Sequence, residues 1–506
     1  MTWDETRDLI IVGSGAGSLC AAFVARELGK SSLIVEKQAK VGGSTAYSGG
    51  IVWVPQNRLL RSEDSFAKAR QYLDHVIGDV GRASTAPMRD TFVRETPLVI
   101  DFLERRGMRF SHARTPDYYS AAPGALTEGR SLISPLFDIN RLGEWAEHLA
   151  RFESWPPLPI ESSEFANLAL VRRTFAGKRT AAKVAWRLLV QKITGKRLRG
   201  MGNAVQGRML EIALRDKIEL WRESPMTGLI MENGRVAGIT VQRAGSTLRI
   251  AATHGVLLNG GGFSRSLPMR RAHQAAPSST DWTVVNPGDT GEVIRAASEA
   301  GAAVDLMDAA LWSPASFHPD GRFAGFHVPN DAGKPHCIVV NARGERFASE
   351  AQGYVDFGRA MYASRAIAEL ARLCAIDATA LGGTIERFNG FAASGVDVDF
   401  HRGEGAYERR NSGDPTYRPN PNLGALERAP FYAVQLWPGD VGTQGGLVVD
   451  EFARVLREDG SVIAGLYATG NCTASLFGRC YPGAGASIAK SLTFGYVAAR
   501  HALGPH

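Results

Sequence analysis

Residues 8 to 36 constrain this chain more than any other stretch. Asp8-Leu9-Ile10-Ile11-Val12 reads as a buried strand, Gly13-Ser14-Gly15-Ala16-Gly17-Ser18 as a glycine turn, and the apolar run to Gly29 as a helix. A second apolar segment, Leu33-Ile34-Val35, ends on Glu36. Strand, glycine turn, helix, strand and an acid about 20 residues on is the order of a dinucleotide-binding βαβ unit. Glycine's backbone freedom permits the tight turn. It lets N–H groups at the helix start approach a pyrophosphate, where the helix dipole also favours negative charge. Gly13, Gly15, Ala16 and Gly17 are therefore candidate cofactor contacts, and Glu36 is placed to accept hydrogen bonds from a ribose. Ser18 holds the third glycine position of the pattern.

A second cluster of small residues follows at once: Gly42-Gly43-Ser44-Thr45-Ala46, then Ser48-Gly49-Gly50. An NAD dehydrogenase has no need of such a cluster there. A flavin enzyme does, because its chain must pass close to the rest of a larger cofactor. The 56 glycines among 506 residues agree with a cofactor wrapped by backbone.

The length suits two domains sharing a large core. Five cysteines (Cys20, Cys337, Cys374, Cys472, Cys480) are odd in number and form no C-x-x-C pair, which argues for a reducing compartment and against a metal or disulfide framework. The N-terminus enters its first strand without a secretory pattern, and no segment approaches the roughly 18 consecutive apolar residues of a spanning helix. The expected location is cytoplasmic, with one qualification. Val171 to Arg199 holds ten basic residues and no acid, so the formal charge of +7 becomes 7 − 10 = −3 without it. Within it Trp186, Leu189, Val190 and Ile193 fall at i, i+3, i+4 and i+7, with Lys183, Arg187 and Lys192 flanking the stripe, whereas Val184 and Leu188 interrupt the polar face. That is the profile of a helix lying on an anionic membrane surface, and it points to peripheral contact with the inner face of the cytoplasmic membrane. A mobile solvated excursion, or a helix docked on its own protein, has the same composition. No nucleic-acid recognition motif accompanies the charge.

Farther along, helices are expected over residues 60 to 110, and Glu232-Asn233-Gly234-Arg235 between alternating apolar runs is a hairpin signal. Val256-Leu257-Leu258-Asn259-Gly260-Gly261-Gly262 reads as a buried strand running into glycines, and Asn286 to Gly291 as a turn opening a helix. Residues 312 to 442 form a distinct block, with strands expected around Cys337 to Val340. Gly465 to Asn471 and Tyr481 to Ile488 then return to small-residue chemistry, the latter opening the last helix. The fold class expected is α/β: a Rossmann-like FAD-binding domain of the glutathione-reductase type over 1–311, with a basic insert at 155–203. An inserted α+β catalytic cap over 312–442 follows, and the FAD domain closes over 443–506.

Gly42 to Pro55 (GGSTAYSGGIVWVP) resembles the succinate dehydrogenase/fumarate reductase-like flavoproteins, and within them the 3-ketosteroid Δ1-dehydrogenase branch. The resemblance covers the chain apart from the basic insert. It implies FAD contacts at Gly13, Gly15, Ala16, Gly17, Glu36 and Lys37, at Gly43, Ser44, Thr45, Ser48, Gly49 and Gly50, and at Gly261, Asp289, Gly470, Asn471, Ser487 and Ile488. Covalent members carry a His in the second cluster; none is present here, so FAD is expected to be non-covalent. The implied reaction removes a hydride from C1 and a proton from C2 of a 3-ketosteroid such as 4-androstene-3,17-dione, with a quinone-like or other artificial acceptor taking the electrons. Tyr481 and Gly485, in Tyr-Pro-Gly-x-Gly, match an oxyanion hole for the C3 oxygen; Tyr354 matches the C2 base and Tyr118 its partner, with Tyr119 one position away as an alternative. A fumarate- or acrylate-type reductase is a rival, through Phe317-His318-Pro319 and through Arg479 near the C-terminal glycines. A 3-ketosteroid 4-dehydrogenase and a non-catalytic flavin redox relay are others.

Overall fold

The computed structural model describes residues 2–154, 157–364 and 376–504; Trp155 and Pro156, at the start of the expected insert, and Cys374 lie outside the described residues. The strand Glu5–Val12 lies inside an eight-stranded sheet. It pairs in parallel with Ser32–Val35 on one side and Ser246–Leu258 on the other, Ile10 standing opposite both Leu33 and Val256. Glu219–Trp221 and Val462–Ala468 extend the parallel set outward. A parallel sheet is covered on both faces, so its strands are near-continuous apolar runs: Leu9, Ile10, Ile11, Leu33, Ile34, Val256, Leu257 and Leu258 are all buried.

The expected hairpin forms between Met226–Glu232 and Arg235–Arg243 and continues antiparallel onto the first half of Ser246–Leu258. Asn233 and Gly234 both take positive φ, 51° and 78°, as a two-residue turn matching the strands' twist requires.

Helices Ala16–Glu27 and Ala486–Leu503 cross against the sheet. A Cβ on Gly17 would stand 2.4 Å from the Ser491 carbonyl oxygen, so this glycine lets two helix backbones touch. Ser18, in the third glycine position, is buried; with the Asn259 amide oxygen turned toward it, its N–H and hydroxyl donate at 3.0 and 2.9 Å. A side-chain bond to the end of the neighbouring strand thus does the work of close glycine packing.

The chain leaves this unit through Ala310–Trp312 and returns through Asp440–Thr443, and the two segments pair antiparallel. Between them lie helices Tyr354–Ala363, Ala378–Ser394 and Ala406–Asn411. The strands expected around Cys337 to Val340 are absent, and that stretch is irregular. Its backbone is satisfied elsewhere: Val339 N–H donates to Glu350 at 3.1 Å. Glu350 is fixed there by Arg346 (2.8 Å) and Arg402 (3.0 Å), and Arg346 also reaches Asp397 (2.8 Å), all four side chains being buried. Paired charges out of water hold their geometry firmly, since removing one partner strands the other. That fixes the backbone four residues before Tyr354.

The basic stretch forms the helix Phe175–Thr194, capped by Thr174, whose Oγ1 accepts from Gly177 N–H at 3.0 Å, and ended by Gly195 in the left-handed region. Gly177, Thr180 and Val184 face inward. Arg187 does not flank the apolar stripe as the spacing suggests; it turns beneath the helix to Glu164 (2.7 Å) and the Pro159 carbonyl (2.9 Å). Among the described residues, no helix is long and apolar enough to cross a membrane.

Candidate active site

A cavity of about 360 Å³ opens at the C-terminal ends of the parallel strands, the place where doubly wound sheets bind ligands. Its first wall is the glycine turn and the second small-residue cluster: Gly13, Gly15, Glu36, Lys37, Gly43, Ser44, Thr45, Ser48, Gly49 and Gly50 all line it. Gly261, Asp289, Gly470, Asn471, Ser487 and Ile488 complete the cofactor side. Of the residues expected there, Ala16 and Gly17 do not line it. Ala16 N–H lies 3.4 Å from Thr45 Oγ1, and Gly17 serves the helix crossing instead.

Two buried carboxylates mark this wall. Glu36 accepts from Ser14 Oγ (2.6 Å), Ser14 N–H (3.1 Å) and Gln38 N–H (2.9 Å), while burial raises its pKa. Asp289 accepts from Ser44 Oγ at 3.0 Å and is pushed up to about 7 by burial. A carboxylate has about four lone-pair sites, so both can still accept from a ligand rich in hydroxyls. Lys37 reaches Thr290 Oγ1 at 2.9 Å and pairs with Glu292, which also lines the cavity. Backbone-lined glycines, a buried acceptor after the second strand and a helix N-terminus at the far side fit a flavin dinucleotide.

The opposite end gathers tyrosines from distant parts of the chain. The Tyr118 ring lies 5.9 Å from that of Tyr354, 5.7 Å from Tyr481 and 4.3 Å from Tyr407. Tyr354 and Tyr481 are 5.8 Å apart, and all four line the cavity. Burial lifts the Tyr118 and Tyr354 hydroxyls well above the usual phenol range. The Tyr481 oxygen accepts from Ser487 N–H at 3.4 Å and lies 3.1 Å from Ser487 Oγ, at the start of the last helix. Either hydroxyl of the Tyr481–Ser487 pair can be the donor. Gly485, the N-cap of the same helix, has φ +91°, and a Cβ there would fall 2.2 Å from the Ile51 carbonyl oxygen. Only glycine fits, both by conformation and by space.

Three bonded layers hold these groups. Asp117 accepts from Trp53 Nε1 (2.8 Å) and Leu126 N–H (2.9 Å) and pairs with Arg130, which also reaches Asp64 at 2.7 Å; all are buried. Tyr118 N–H donates to the Pro482 carbonyl at 3.1 Å, and Tyr72 Oη to the same oxygen at 2.5 Å. Tyr119, the neighbouring alternative, is not on the cavity. Its hydroxyl donates to Asp356 at 2.7 Å and accepts from Tyr481 N–H at 3.5 Å, tying the Tyr354 helix to the Tyr481 loop.

Two features of the carboxylate-reductase alternative are elsewhere. Arg479 pairs with Asp308 at 2.6 and 2.9 Å, half-exposed and off the cavity. His318 sits at an exposed hairpin end, bonded to Arg322 through the backbone. Lys37 is the only cationic side chain among the described residues lining the cavity, and it is already paired. Sequence reasoning missed Tyr407: it stands in a polar Gly405-Ala406-Tyr407-Glu408 run with no motif, and only the folded chain brings it to Tyr118.

A sequence family described as FAD binding domain matches residues 8–488. The chain is 37% identical to the 3-oxosteroid 1-dehydrogenase of Mycolicibacterium smegmatis, over 97% of this chain and 96% of that protein. It is 32% identical to the 4-oxocyclohexanecarboxylate 2-dehydrogenase of Sinomonas cyclohexanicum, over 99% and 93%. Among solved structures it is similar to the 3-ketosteroid Δ1-dehydrogenase of Sterolibacterium denitrificans in complex with 1,4-androstadiene-3,17-dione, with TM-score 0.91, 33% identity and 99% coverage of both chains.

Proposed function

We propose, since this chain belongs to the family of 3-oxosteroid 1-dehydrogenases built on the FAD-binding domain, that it desaturates the C1–C2 bond of ring-A 3-ketosteroids such as 4-androstene-3,17-dione. The carrying observation is the convergence of Tyr118, Tyr354, Tyr481 and Gly485 on one end of a cavity whose other wall suits a dinucleotide. We divide the chain accordingly into a flavin unit, 1–311 and 443–506, and a catalytic cap, 312–442.

FAD, held without a covalent bond by the glycine turn, Glu36, the second cluster and the start of the last helix, supplies the acceptor for the hydride that leaves C1. The protein's own groups handle the proton. The Tyr481 hydroxyl and Gly485 N–H donate to the substrate C3 oxygen, and the negative charge they stabilise makes the C2–H bond acidic. The Tyr354 oxygen takes the C2 proton. Burial disfavours its ionised form, so the neighbouring Tyr118 hydroxyl must share the charge. The apolar wall of Leu311, Phe326 and Val328 suits a steroid skeleton. Among the described residues lining the cavity no cation is unpaired, which argues against a carboxylate substrate, whether a fumarate or an oxocyclohexanecarboxylate. Anaerobic addition of 4-androstene-3,17-dione is expected to bleach the flavin band and form the 1,4-diene. Reoxidation of the reduced enzyme by fumarate, with no bleaching by any 3-ketosteroid, would replace this reading.

The basic helix is the proposed membrane contact. Phe175, Trp186, Leu189 and Ile193 are 81%, 64%, 46% and 73% exposed. They form one outward row bordered by Lys178, Arg179, Lys183 and Lys192. Such a row gains from anionic lipid by both apolar burial and charge. Through Arg187 and Glu164 the helix is tied to the short turn 162–164, whose Ser162 Oγ donates to the carbonyl of Gly49 on the cavity wall. A quinone-like acceptor dissolved in lipid fits the same reading. Replacing Trp186 and Ile193 by serine is expected to weaken co-sedimentation with anionic vesicles at least about tenfold, with turnover in solution unchanged. Equal sedimentation of both proteins would reject the contact.

A further inference from the structure

The cavity changes chemistry along its length, and the reaction as proposed above uses only its phenolic end. From there one wall continues out of the strand Phe323–Phe326: Phe326, Val328 and Asn330, at every second position of an extended chain, all line the cavity. The other wall is the helix Ala406–Asn411, from which Tyr407 and Asn411, about one turn apart, line it. Tyr407 stacks at 4.3 Å on Tyr118, so Asn411 stands a turn beyond the phenols. Both walls therefore begin on rings and end on a side-chain amide.

The two amides are held side by side. Asn422 is buried, and its Nδ2 donates to the Gly333 carbonyl at 2.8 Å and to Ser412 Oγ at 3.0 Å. It thereby joins the turn after Asn330 to the residue after Asn411. Gly333 N–H donates to the Pro329 carbonyl at 3.1 Å, closing that turn around Asn330. A Cβ on Gly333 would fall 2.4 Å from Ser412 Oγ, so the two segments touch. Asn330 is exposed and Asn411 half-buried, which puts them where the cavity meets solvent. Among the described residues neither side-chain amide has a hydrogen-bond partner.

We propose that Asn330 and Asn411 are specificity-determining residues that hydrogen-bond an oxygen at C17, so that steroids carrying a ketone or hydroxyl there are preferred to those with an alkyl side chain. The inference rests on the dehydrogenation proposed above, which holds the C3 oxygen at Tyr481 and Gly485. A fused ring system gripped at that end is rigid, so ring D lies outward along the two walls. Phe326 and Val328 meet its apolar body, and the amides meet what C17 carries. An amide offers two N–H donors and an acceptor oxygen, so the pair serves a ketone and a hydroxyl alike. An alkyl chain crossing the same place displaces water from both amides and returns no hydrogen bond, a loss that works against it. A wholly apolar rim would draw no such distinction.

The test uses two steroids already desaturated at C1–C2, 1,4-androstadiene-3,17-dione and its analogue lacking the C17 oxygen. Their binding to oxidised holoenzyme is titrated through the flavin spectrum, so no turnover is needed. Wild type is expected to bind the 17-ketone about tenfold or more tightly than the analogue, the worth of one or two hydrogen bonds. The double variant Asn330→Leu with Asn411→Leu is expected to bind both alike, by losing affinity for the ketone. Equal affinities in wild type, or a preference that survives in the double variant, would overturn the proposal. If the double variant fails to retain FAD, the exposed position decides alone: Asn330→Leu is expected to narrow the preference about threefold, and an unchanged preference overturns it. Failure of the reaction is distinguishable. Flavin that no 3-ketosteroid bleaches, with the 17-ketone still preferred, rejects desaturation and keeps the recognition; bleaching without the preference rejects the recognition alone.

Discussion

Tyr354→Phe is expected to slow anaerobic flavin reduction by 4-androstene-3,17-dione by about 10²–10⁴-fold, the range for removing a positioned acid–base group. The substitution deletes one oxygen from a half-buried ring that still packs against Tyr118 and Tyr481. FAD content and steroid affinity should therefore be retained, and the loss should fall on the rate constant at saturating steroid. Wild-type rates should rise with pH, because burial holds the base protonated at neutrality. The variant should lose that limb, since no phenolate at this position remains to be formed. Rapid quenched reduction traces over a pH series measure both. A variant that reduces its flavin at the wild-type rate would remove Tyr354 from the reaction and move attention to Tyr118.

The second large effect is expected at Tyr481. Deleting one preorganised donor to a developing oxyanion typically costs about 10²–10³-fold, and Tyr481→Phe should fall in that range. The argument is one of position: Tyr481 lines the cavity and its oxygen accepts from Ser487 N–H, so with Ser487 Oγ as the donor between the two hydroxyls the phenolic proton is available to a substrate oxygen. Residual activity is expected from the Gly485 N–H, which a side-chain substitution leaves in place. A uniform-binding role would appear differently, as a raised KM with kcat unchanged. Measuring kcat and KM separately for Tyr481→Phe and Tyr354→Phe distinguishes oxyanion stabilisation from steroid anchoring. The double variant should lose less than the product of the two single losses, because both residues serve one charge separation and their rings touch.

The supporting layer explains why four tyrosines tolerate such close burial. Asp117 and Arg130 fix the backbone beneath Tyr118, Glu350 with Arg346 and Arg402 fix the approach to Tyr354, and Tyr119 with Asp356 ties the two tyrosine-bearing loops together. Their ion pairs and hydrogen bonds are met largely within the protein, which is the condition for holding a site rigid without water.

The βαβ unit was legible from the residues alone, because a strand, a glycine turn and a terminal acid are local and leave few other folds open to them. The start of the last helix within Tyr481 to Ile488 was legible in the same way, whereas Gly485 as its cap is a finding of the structure. Hairpin chemistry at Asn233-Gly234 was equally local. The tertiary structure alone decided the rest. Gly17 reads as a cofactor contact in sequence but answers to Ser491, more than 470 residues away along the chain. The stretch 337–340 is apolar enough for a strand, yet Glu350 captures Val339 N–H and no strand forms. Tyr118 and Tyr119 are indistinguishable by composition; the bond from Tyr119 to Asp356 turns one outward and leaves the other on the cavity. Tyr407 carries no signature at all. Local patterns are legible because backbone geometry enforces them residue by residue, whereas a cluster assembled from positions 118, 354, 407 and 481 exists only once long-range packing has closed.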